Sequence, residues 1–324
     1  MKYIKGAVLS GLFAASLFFG YPTAIAAENP EANKTQTVLD IKDGKYDNHP
    51  AYVDEANFSF DKIAESIEPV RFNQTFKISY ETLDGQINRF FSSIQGFGSG
   101  VVIKKEDGCA YLLTNKHVVN PSFKVKNIPN ITKLDIGKSV KIEKDRNEVY
   151  IMKDDISYTA EILLEDSELD MALIKVKDPN NLLKAFPYKI GNSDDLELAD
   201  FTYVIGFPLT LEDYVLHGNV TKLYIEKIKY YTDLFFGTQP YTFEDNNYFM
   251  IGSSIIPGYS GGSVIAIRDG EYELVGIVNA ALARSYYDAK KGIYVPDIYA
   301  DYGVAIKISP IMEKVNQYFE GIKN

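Results

Sequence analysis

The chain has 324 residues, 46% hydrophobic and 24% charged, a composition that excludes a disordered or fibrous protein and leaves room for one large domain or two ordinary ones. A formal net charge of −10 argues against nucleic acid or an anionic membrane surface as the main partner. Cys109 is the one cysteine, so no intrachain disulfide can form, and a domain of this size buries enough core without one.

Residues 1–26 have the plan of a secretory signal peptide. Lys2 and Lys5 precede an apolar run, "AVLSGLFAASLFFG" (7–20), and Ala24-Ile-Ala26 supplies small residues for cleavage after Ala26 or Ala27. The run is shorter than the ~20 residues of a membrane span, so no stable span is expected after cleavage, and a secreted or periplasmic product is. Its removal takes the formal charge from −10 to −12. Residues 27–70 form a polar N-terminal extension without sustained periodicity, with one or two helical turns at 58–67.

From Arg71 to residue 324 the texture changes to short runs rich in Val, Ile, Phe and Tyr, broken by Gly, Asp and Asn: "TFKISYET", "GSGVVIKK", "AYLLTN", "EVYIMK", "MALIKVK", "FTYVIGF", "VIAIRD", "LVGIVNAA" and "YGVAIKI" among them. Ten or more short strands without intervening helical patterns predict an all-β sandwich or pair of barrels rather than a parallel α/β sheet. Cys109 falls in the apolar stretch "CAYLLT" and reads as a strand residue, not a nucleophile. One helix closes the chain, with Ser309 as its cap, Pro310 at its first position, and Ile311, Val315, Phe319 and Ile322 on one face.

The stretch "IIPGYSGGSV" (255–264) satisfies both G-x-S-x-G, the nucleophile elbow of lipases and esterases, and G-x-S-G-G. A serine hydroxyl is a weak nucleophile until a base takes its proton, and histidine is the usual base. There are three histidines, and all precede Ser260. The order serine, acid, histidine of the α/β-hydrolases therefore cannot be completed. The order acid, histidine, serine would use His217, but the helix-rich pattern of that fold is missing. His49 lies in the polar extension. His117, in "YLLTNKHVVN", is delivered by a β-run onto a short turn, and Asp170, in "SELDMALIKV", stands immediately before an apolar strand. Asp166 and Glu168 are nearby competitors that lack the following apolar run.

The segments "GSGVVI", "LLTNKHVV", "DMALIKV", "VIGFP", "PGYSGGSV", "LVGIVNAAL" and "GVAIKI" follow one another as in trypsin-like serine peptidase domains, and the chain most resembles the bacterial HtrA/Deg type over about residues 85–320. The resemblance implies two packed six-stranded antiparallel β-barrels with a C-terminal helix and an active site in the cleft between them. It implies His117 as general base, Asp170 as its orienting acid and Ser260 as nucleophile. The backbone N–H groups of Gly258 and Ser260 become the oxyanion hole. Asn279, Ala280 and Ala281 become the strand that pairs with an extended polypeptide substrate, and Ser254, with Ala281 on the wall, the base of the primary pocket. Neither cofactor nor metal is implied.

The sequence departs from that family in three places. Tyr259 replaces the aspartate with which digestive relatives capture a new N-terminus, so the loops themselves are expected to set the active conformation. No peptide-binding module is expected after the helix. The stretches 225–249 and 285–302 are longer than hairpins need, and the first is a candidate surface for self-association. Uncharged Ser254 and Ala281 suggest small or medium apolar side chains at the cleavage site, whereas His217 at the pocket would favour acidic ones. The competing reading is a binding or chaperone-like protein on the same fold.

Overall fold

In the computed structural model the described residues are 42–46, 53, 58–82, 84–121, 140–154, 156–208, 213–232, 239–288 and 293–323, with side chains left out at 225–232, 239–245, 282–288, 293–300 and 323. The signal peptide and its cleavage site fall outside them. Polar and apolar residues alternate along β1 (Ile67–Glu81), so that Val70, Phe72, Gln74, Phe76 and Ile78 all turn to one buried face. β1 pairs antiparallel with β2 (Ile87–Glu106), from Ile67 opposite Val101 to Glu81 opposite Ile87. Asp107 and Gly108, both with positive φ, then turn the chain into β3 (Cys109–Asn115), a two-residue connection whose twist suits a hairpin. A single helical turn, α2 (Lys116–Val119), follows β3, and β4 (Val140–Lys153), β5 (Ile156–Asp166) and β6 (Met171–Lys177) complete a closed barrel in the order β1-β2-β3-β6-β5-β4. Its centre holds Val70, Phe72, Leu112, Ile151, Ile174 and Val176.

The second half contributes β7 (Lys189–Ile190), β8 (Phe201–Gly206), β9 (Tyr214–Lys222), β12 (Tyr248–Ile251), β13 (Ser263–Arg268), β14 (Glu271–Asp288) and β15 (Ile293–Lys307). Their order is β13-β8-β9-β12-β15-β14-β7, and a β13–β14 pairing closes the first six into a second ring. Two six-stranded barrels were expected, and both rings are present. The seventh strand, β7, is an addition that lies parallel to β14. Within 225–249, β10 (Ile225–Thr232) and β11 (Gln239–Asp245) form a separate two-stranded ribbon, whereas Tyr248–Ile251 is a barrel strand. The self-association surface proposed for 225–249 falls mostly on side chains outside the described set.

The N-terminal extension is not uniformly detached. Tyr46, Val53, Ile63 and Ile67 are buried in the hydrophobic clusters of the domain, and Ile63 lies in α1 (Phe60–Ala64). The apolar residues scattered through a polar segment have no period, which is why composition alone marks it as a tail. The closing helix, α3 (Ile308–Lys323), begins two residues earlier than expected. Ser309 is therefore inside it, and its hydroxyl bonds Ser193 Oγ and Asn192 Oδ1 instead of capping its own helix. Ile311 and Val315 are buried, while Ile322 is 63% exposed because the helix runs past the barrel surface. Phe319 packs edge-on against Tyr111 of β3, so α3 ties the second half of the chain to the first barrel. A cluster joining Leu113, Met171 and Leu173 to Ile205, Ile265, Val304 and Ile311 fills the junction of the barrels.

Candidate active site

His117 sits on α2, a turn too short to be stable alone. It is held from the β5–β6 connection: Lys116 N–H and Asn115 Nδ2 both donate to the Asp170 carbonyl, at 3.1 and 3.2 Å. The Asp170 carboxylate engages His117 twice. Oδ1 accepts the His117 N–H at 2.9 Å, and Oδ2 lies 2.5 Å from Nδ1. A carboxylate accepts only, so Nδ1 carries the proton and Nε2 is the acceptor of the neutral ring. Asp170 has φ +51°, in the left-handed region, and that geometry persists because its turn is fastened on several sides. Asp166 Oδ1 accepts from Glu168 N–H and Leu169 N–H at 2.8 and 3.0 Å, Asp166 Oδ2 pairs with Lys314 of α3 at 3.0 Å, and Tyr248 Oη donates to the Glu168 carbonyl at 2.9 Å.

Asn279 of β14 joins this couple to the serine. Its Nδ2 donates to Asp170 Oδ2 at 2.8 Å, and its carbonyl accepts from Ser260 Oγ at 3.1 Å. The sequence marks Asn279 only as a substrate-pairing position. Its buried side chain, 3% exposed, is instead a third donor to the acid.

The serine loop is built on close approaches. A Cβ at Gly261, φ +87°, would overlap the Ser99 carbonyl, and Gly258 has φ +105°. Gly261 N–H donates to the Val278 carbonyl and Val278 N–H to the Gly262 carbonyl, fastening the loop to β14. From the first barrel Ser99 N–H reaches the Ser260 carbonyl at 2.7 Å, and Ser99 Oγ donates to the Gly258 carbonyl at 2.7 Å. The N–H groups of Gly258 and Ser260 donate to no protein acceptor among the described residues. Two main-chain donors thus remain on one tight loop beside a hydroxyl, the kind of arrangement that binds an oxyanion. Tyr259 between them is 2% exposed, and burial pushes its phenol up to about 12. Where digestive relatives place an acid, this chain anchors the loop by burying an aromatic ring.

Ala280 and Ala281 pair with Val304 and Gly303 of β15 on one side, while the β13 ladder on the other stops at Ile277. Past that point the strand edge of 279–281 faces no partner strand among the described residues. Ser254 is exposed and donates to Asp301 Oδ1 at 2.7 Å. His217 is not brought to the serine loop: it pairs with Tyr203 and stacks on Phe201 at 5.7 Å, exposed on the barrel's outer face. Cys109 is half-buried on β3, opposite Glu106 of β2 on one side and Lys177 of β6 on the other. Among the described residues no three His, Cys, Asp or Glu side chains gather as metal ligands, and no helix is long and apolar enough to cross a membrane.

The sequence misses Ser99, the side-chain role of Asn279 and the cap by Asp166. "GSGVVI" marks Ser99 only as part of a strand motif, because its partner lies 159 residues away.

Comparison with known proteins finds similarity to bacterial serine proteases. A probable periplasmic serine protease do/HhoA-like of Haemophilus influenzae is 28% identical over 63% of this chain and 35% of its own length. The periplasmic pH-dependent serine endoprotease DegQ of Escherichia coli is 27% identical over 62% of this chain and 35% of its own. A serine protease HtrA-like of Staphylococcus haemolyticus is 32% identical over 56% and 24%. The chain thus spans about a third or less of the length of these relatives. The solved structure of the HtrA-type protease AlgW with decapeptide is 21% identical, with a TM-score of 0.45, over 80% of this chain and 66% of that one. Residues 98–277, more than half of the chain and the segment that contains His117, Asp170 and Ser260, match the trypsin-like peptidase domain, and to that family the chain belongs.

Proposed function

We propose that the chain is a secreted serine endopeptidase that hydrolyses peptide bonds through an acyl-enzyme. In this reading Ser260 attacks the substrate carbonyl and His117 Nε2 takes its proton. Asp170 holds the ring and offsets its charge once it is protonated. The oxyanion forms against the N–H groups of Gly258 and Ser260, each contributing on the order of 3 kcal/mol in the transition state. The polypeptide backbone pairs with the open edge of Asn279–Ala281. The signal peptide, cut after Ala26 or Ala27, and the periplasmic relatives favour an envelope location. The observation that carries the reading is the two-handed grip of Asp170 on His117, linked through Asn279 to the Ser260 hydroxyl.

The resting Ser260 hydroxyl bonds a carbonyl, which favours as second reading a binding protein on a peptidase fold. Labelling of the chain from residue 28 onward with a fluorophosphonate probe separates the two. A peptidase labels, and Ser260→Ala and His117→Ala abolish labelling. On an unfolded casein substrate either variant lowers kcat on the order of 10⁴-fold or more. Absence of labelling, with aggregation of an unfolded client suppressed equally by wild type and Ser260→Ala, would support the binding protein.

A further inference from the structure

Asp170 holds one end of the turn that carries His117. Its carboxylate and carbonyl take hydrogen bonds from Asn115, Lys116 and His117, all at the start of α2. The far end needs partners of its own, because so short a helix leaves its last carbonyls unsatisfied. They come from the first barrel. Asn147 Nδ2 of β4 donates to the Val119 carbonyl at 3.0 Å. Asn120, the residue that ends the turn, donates its N–H to the Lys116 carbonyl at 2.8 Å, and its side chain meets three strands. Oδ1 accepts from Gln74 Nε2 of β1 at 3.2 Å and from Lys144 Nζ of β4, and Nδ2 donates to Glu165 Oε2 of β5 at 3.2 Å. These partners fix which way the amide points. Reversed, its NH2 would face the Lys144 ammonium and its oxygen the Glu165 carboxylate.

The strands serve this contact at a cost to the barrel. Gln74 lies in the barrel-facing row between Phe72 and Phe76, with Asn147 directly opposite on β4. Gln74 is fully buried, and Gln74 Oε1 and Asn147 Oδ1 have no hydrogen-bond partner among the described residues, a penalty that an aliphatic side chain at either position would avoid. Lys144 owes its place to a β-bulge. Thr75 pairs with Arg146 and Phe76 with Lys144, so Asp145 is the extra residue. In an unbroken ladder Asp145 would stand opposite Phe76, and Lys144 would point to the other face of the sheet. As it is, the ammonium is held partly out of water, which lowers its pKa against the pull of Glu165. Buried amides and a bulge break the local rules of a barrel, and such breaks are expected where a site needs them.

We infer that Asn120 is a positioning residue for His117: by joining Gln74, Lys144 and Glu165 across β1, β4 and β5, it fixes the far end of the one-turn helix and with it the direction of the imidazole. Asp170 sets the ring from one side and Asn120 sets the backbone that carries the ring from the other. The inference rests on the proposed peptidase activity, in which His117 is the base. Asn120 acts through the turn and takes no part in the bond-making steps.

The test has two arms, so that failure of this inference and failure of the peptidase reading are distinguishable. In the first, kcat and KM are measured on unfolded casein for wild type, Asn120→Ala, Lys144→Met and the double variant Asn120→Asp with Glu165→Gln. In the double variant carboxylate and amide exchange places, and all three side-chain hydrogen bonds can re-form. Asn120→Ala is expected to lower kcat at least tenfold with KM within twofold, and the double variant to recover to within threefold of wild type. Lys144 is exposed, so Lys144→Met weakens the contact without opening the core, and a loss in kcat of at least threefold is expected. The second arm needs no turnover. Exchange of the His117 Nδ1 proton with water is followed by NMR in the Ser260→Ala chain, the resonance being identified by its absence from His117→Ala. Asn120→Ala is expected to speed the exchange at least tenfold and the double variant to restore it. Tyr46→Phe, which lowers stability at a distant site, is expected to change neither kcat nor the exchange. Unaltered exchange in Asn120→Ala, no recovery in the double variant, or a matching change in Tyr46→Phe overturns the inference. A wild type that cleaves nothing, but whose Ser260→Ala chain loses the protection of that proton with Asn120→Ala, overturns only the peptidase reading and sustains the grip on His117.

Discussion

Ser99 donates its hydroxyl to the carbonyl of Gly258, while its N–H reaches the carbonyl of Ser260, so one residue of the first barrel grips the serine loop of the second on both sides of Tyr259. The same hydroxyl accepts the Phe207 N–H at 2.8 Å, and Ser99 is fully buried. Each of these groups faces a desolvation cost if left alone. Ser99→Ala leaves the Gly258 carbonyl and the Phe207 N–H without their partner. It is expected to lower stability by ~1–3 kcal/mol in urea unfolding. It is also expected to slow fluorophosphonate labelling of Ser260, because the Gly258 carbonyl loses its hydrogen bond and only the main-chain grip on the Ser260 carbonyl remains. Unchanged stability together with unchanged labelling would contradict the clamp.

Asp166 separates two effects that a surface view merges. Although burial opposes its ionised form, the Leu169 N–H, the Lys314 ammonium and the Glu168 N–H together hold its carboxyl below the usual range. A depressed acid contributes stability that is present above its unfolded pKa and is lost as pH falls through the folded one, so this contribution disappears in the acid range below about pH 4. The hydrogen bonds to the turn outweigh the ion pair, since Lys314 is 43% exposed and such pairs contribute ~0.5 kcal/mol. Lys314→Ala should therefore cost little, whereas Asp166→Ala should cost ~1–2 kcal/mol, as loss of a cap does. Because that turn presents Asp170, Asp166→Ala should also lower kcat with KM nearly constant. Equal effects of the two substitutions on denaturant midpoints would refute this ranking.

The N-terminal extension carries a further expectation. Tyr46 is 1% exposed, its hydroxyl donates to Glu273 Oε2 at 2.6 Å and accepts from Asn192 N–H at 3.0 Å, and its ring lies 3.9 Å from the Arg268 guanidinium carbon. Tyr46→Phe keeps the ring and removes the hydroxyl shared by Glu273 Oε2 and Asn192 N–H, leaving Glu273 Oε2 with Arg268 Nε at 3.5 Å, a loss of ~1–3 kcal/mol. Tyr46→Ala removes the packing as well, for ~3–5 kcal/mol. A chain starting at residue 58 should resemble Tyr46→Ala in its melting temperature. If it melts with the wild type, residues 42–46 are dispensable.

The barrels were legible because the alternation of Phe72, Gln74, Phe76 and Ile78 is a property of neighbouring residues, and so is the turn at Asp107-Gly108. His117, Asp170 and Ser260 were legible for a different reason: the serine is surrounded by glycines, and the search for its partners was confined to three histidines. Ser99 and the Asn279 amide were not legible, because each acts on a residue that only the closed barrels bring near, and a serine or an asparagine in a strand carries no signal of its own. Tyr46 was hidden similarly, as one aromatic residue in a polar segment.

Glu68 gives a pH dependence of the opposite sign to Asp166. It is fully buried at the start of β1, opposite Gly100, with Oε1 2.9 Å from Lys153 Nζ and Oε2 without a described partner. Burial pushes its carboxyl up to about 7 from a usual 4.5; Lys153 works against the rise, and Asp154 and Asp178 add to it. The folded protein therefore holds a proton on Glu68 that the unfolded chain has already released between about pH 4.5 and 7. Stability from this group is fully present below 4.5 and falls as pH rises through 7, by up to ~3 kcal/mol. Glu68→Gln mimics the protonated form at every pH, and Lys153, 26% exposed, can turn to water. Urea unfolding at pH 5 and pH 8 should show the wild type losing ~2–3 kcal/mol more than Glu68→Gln across that interval. Identical slopes would mean that the Lys153 ammonium keeps Glu68 ionised throughout.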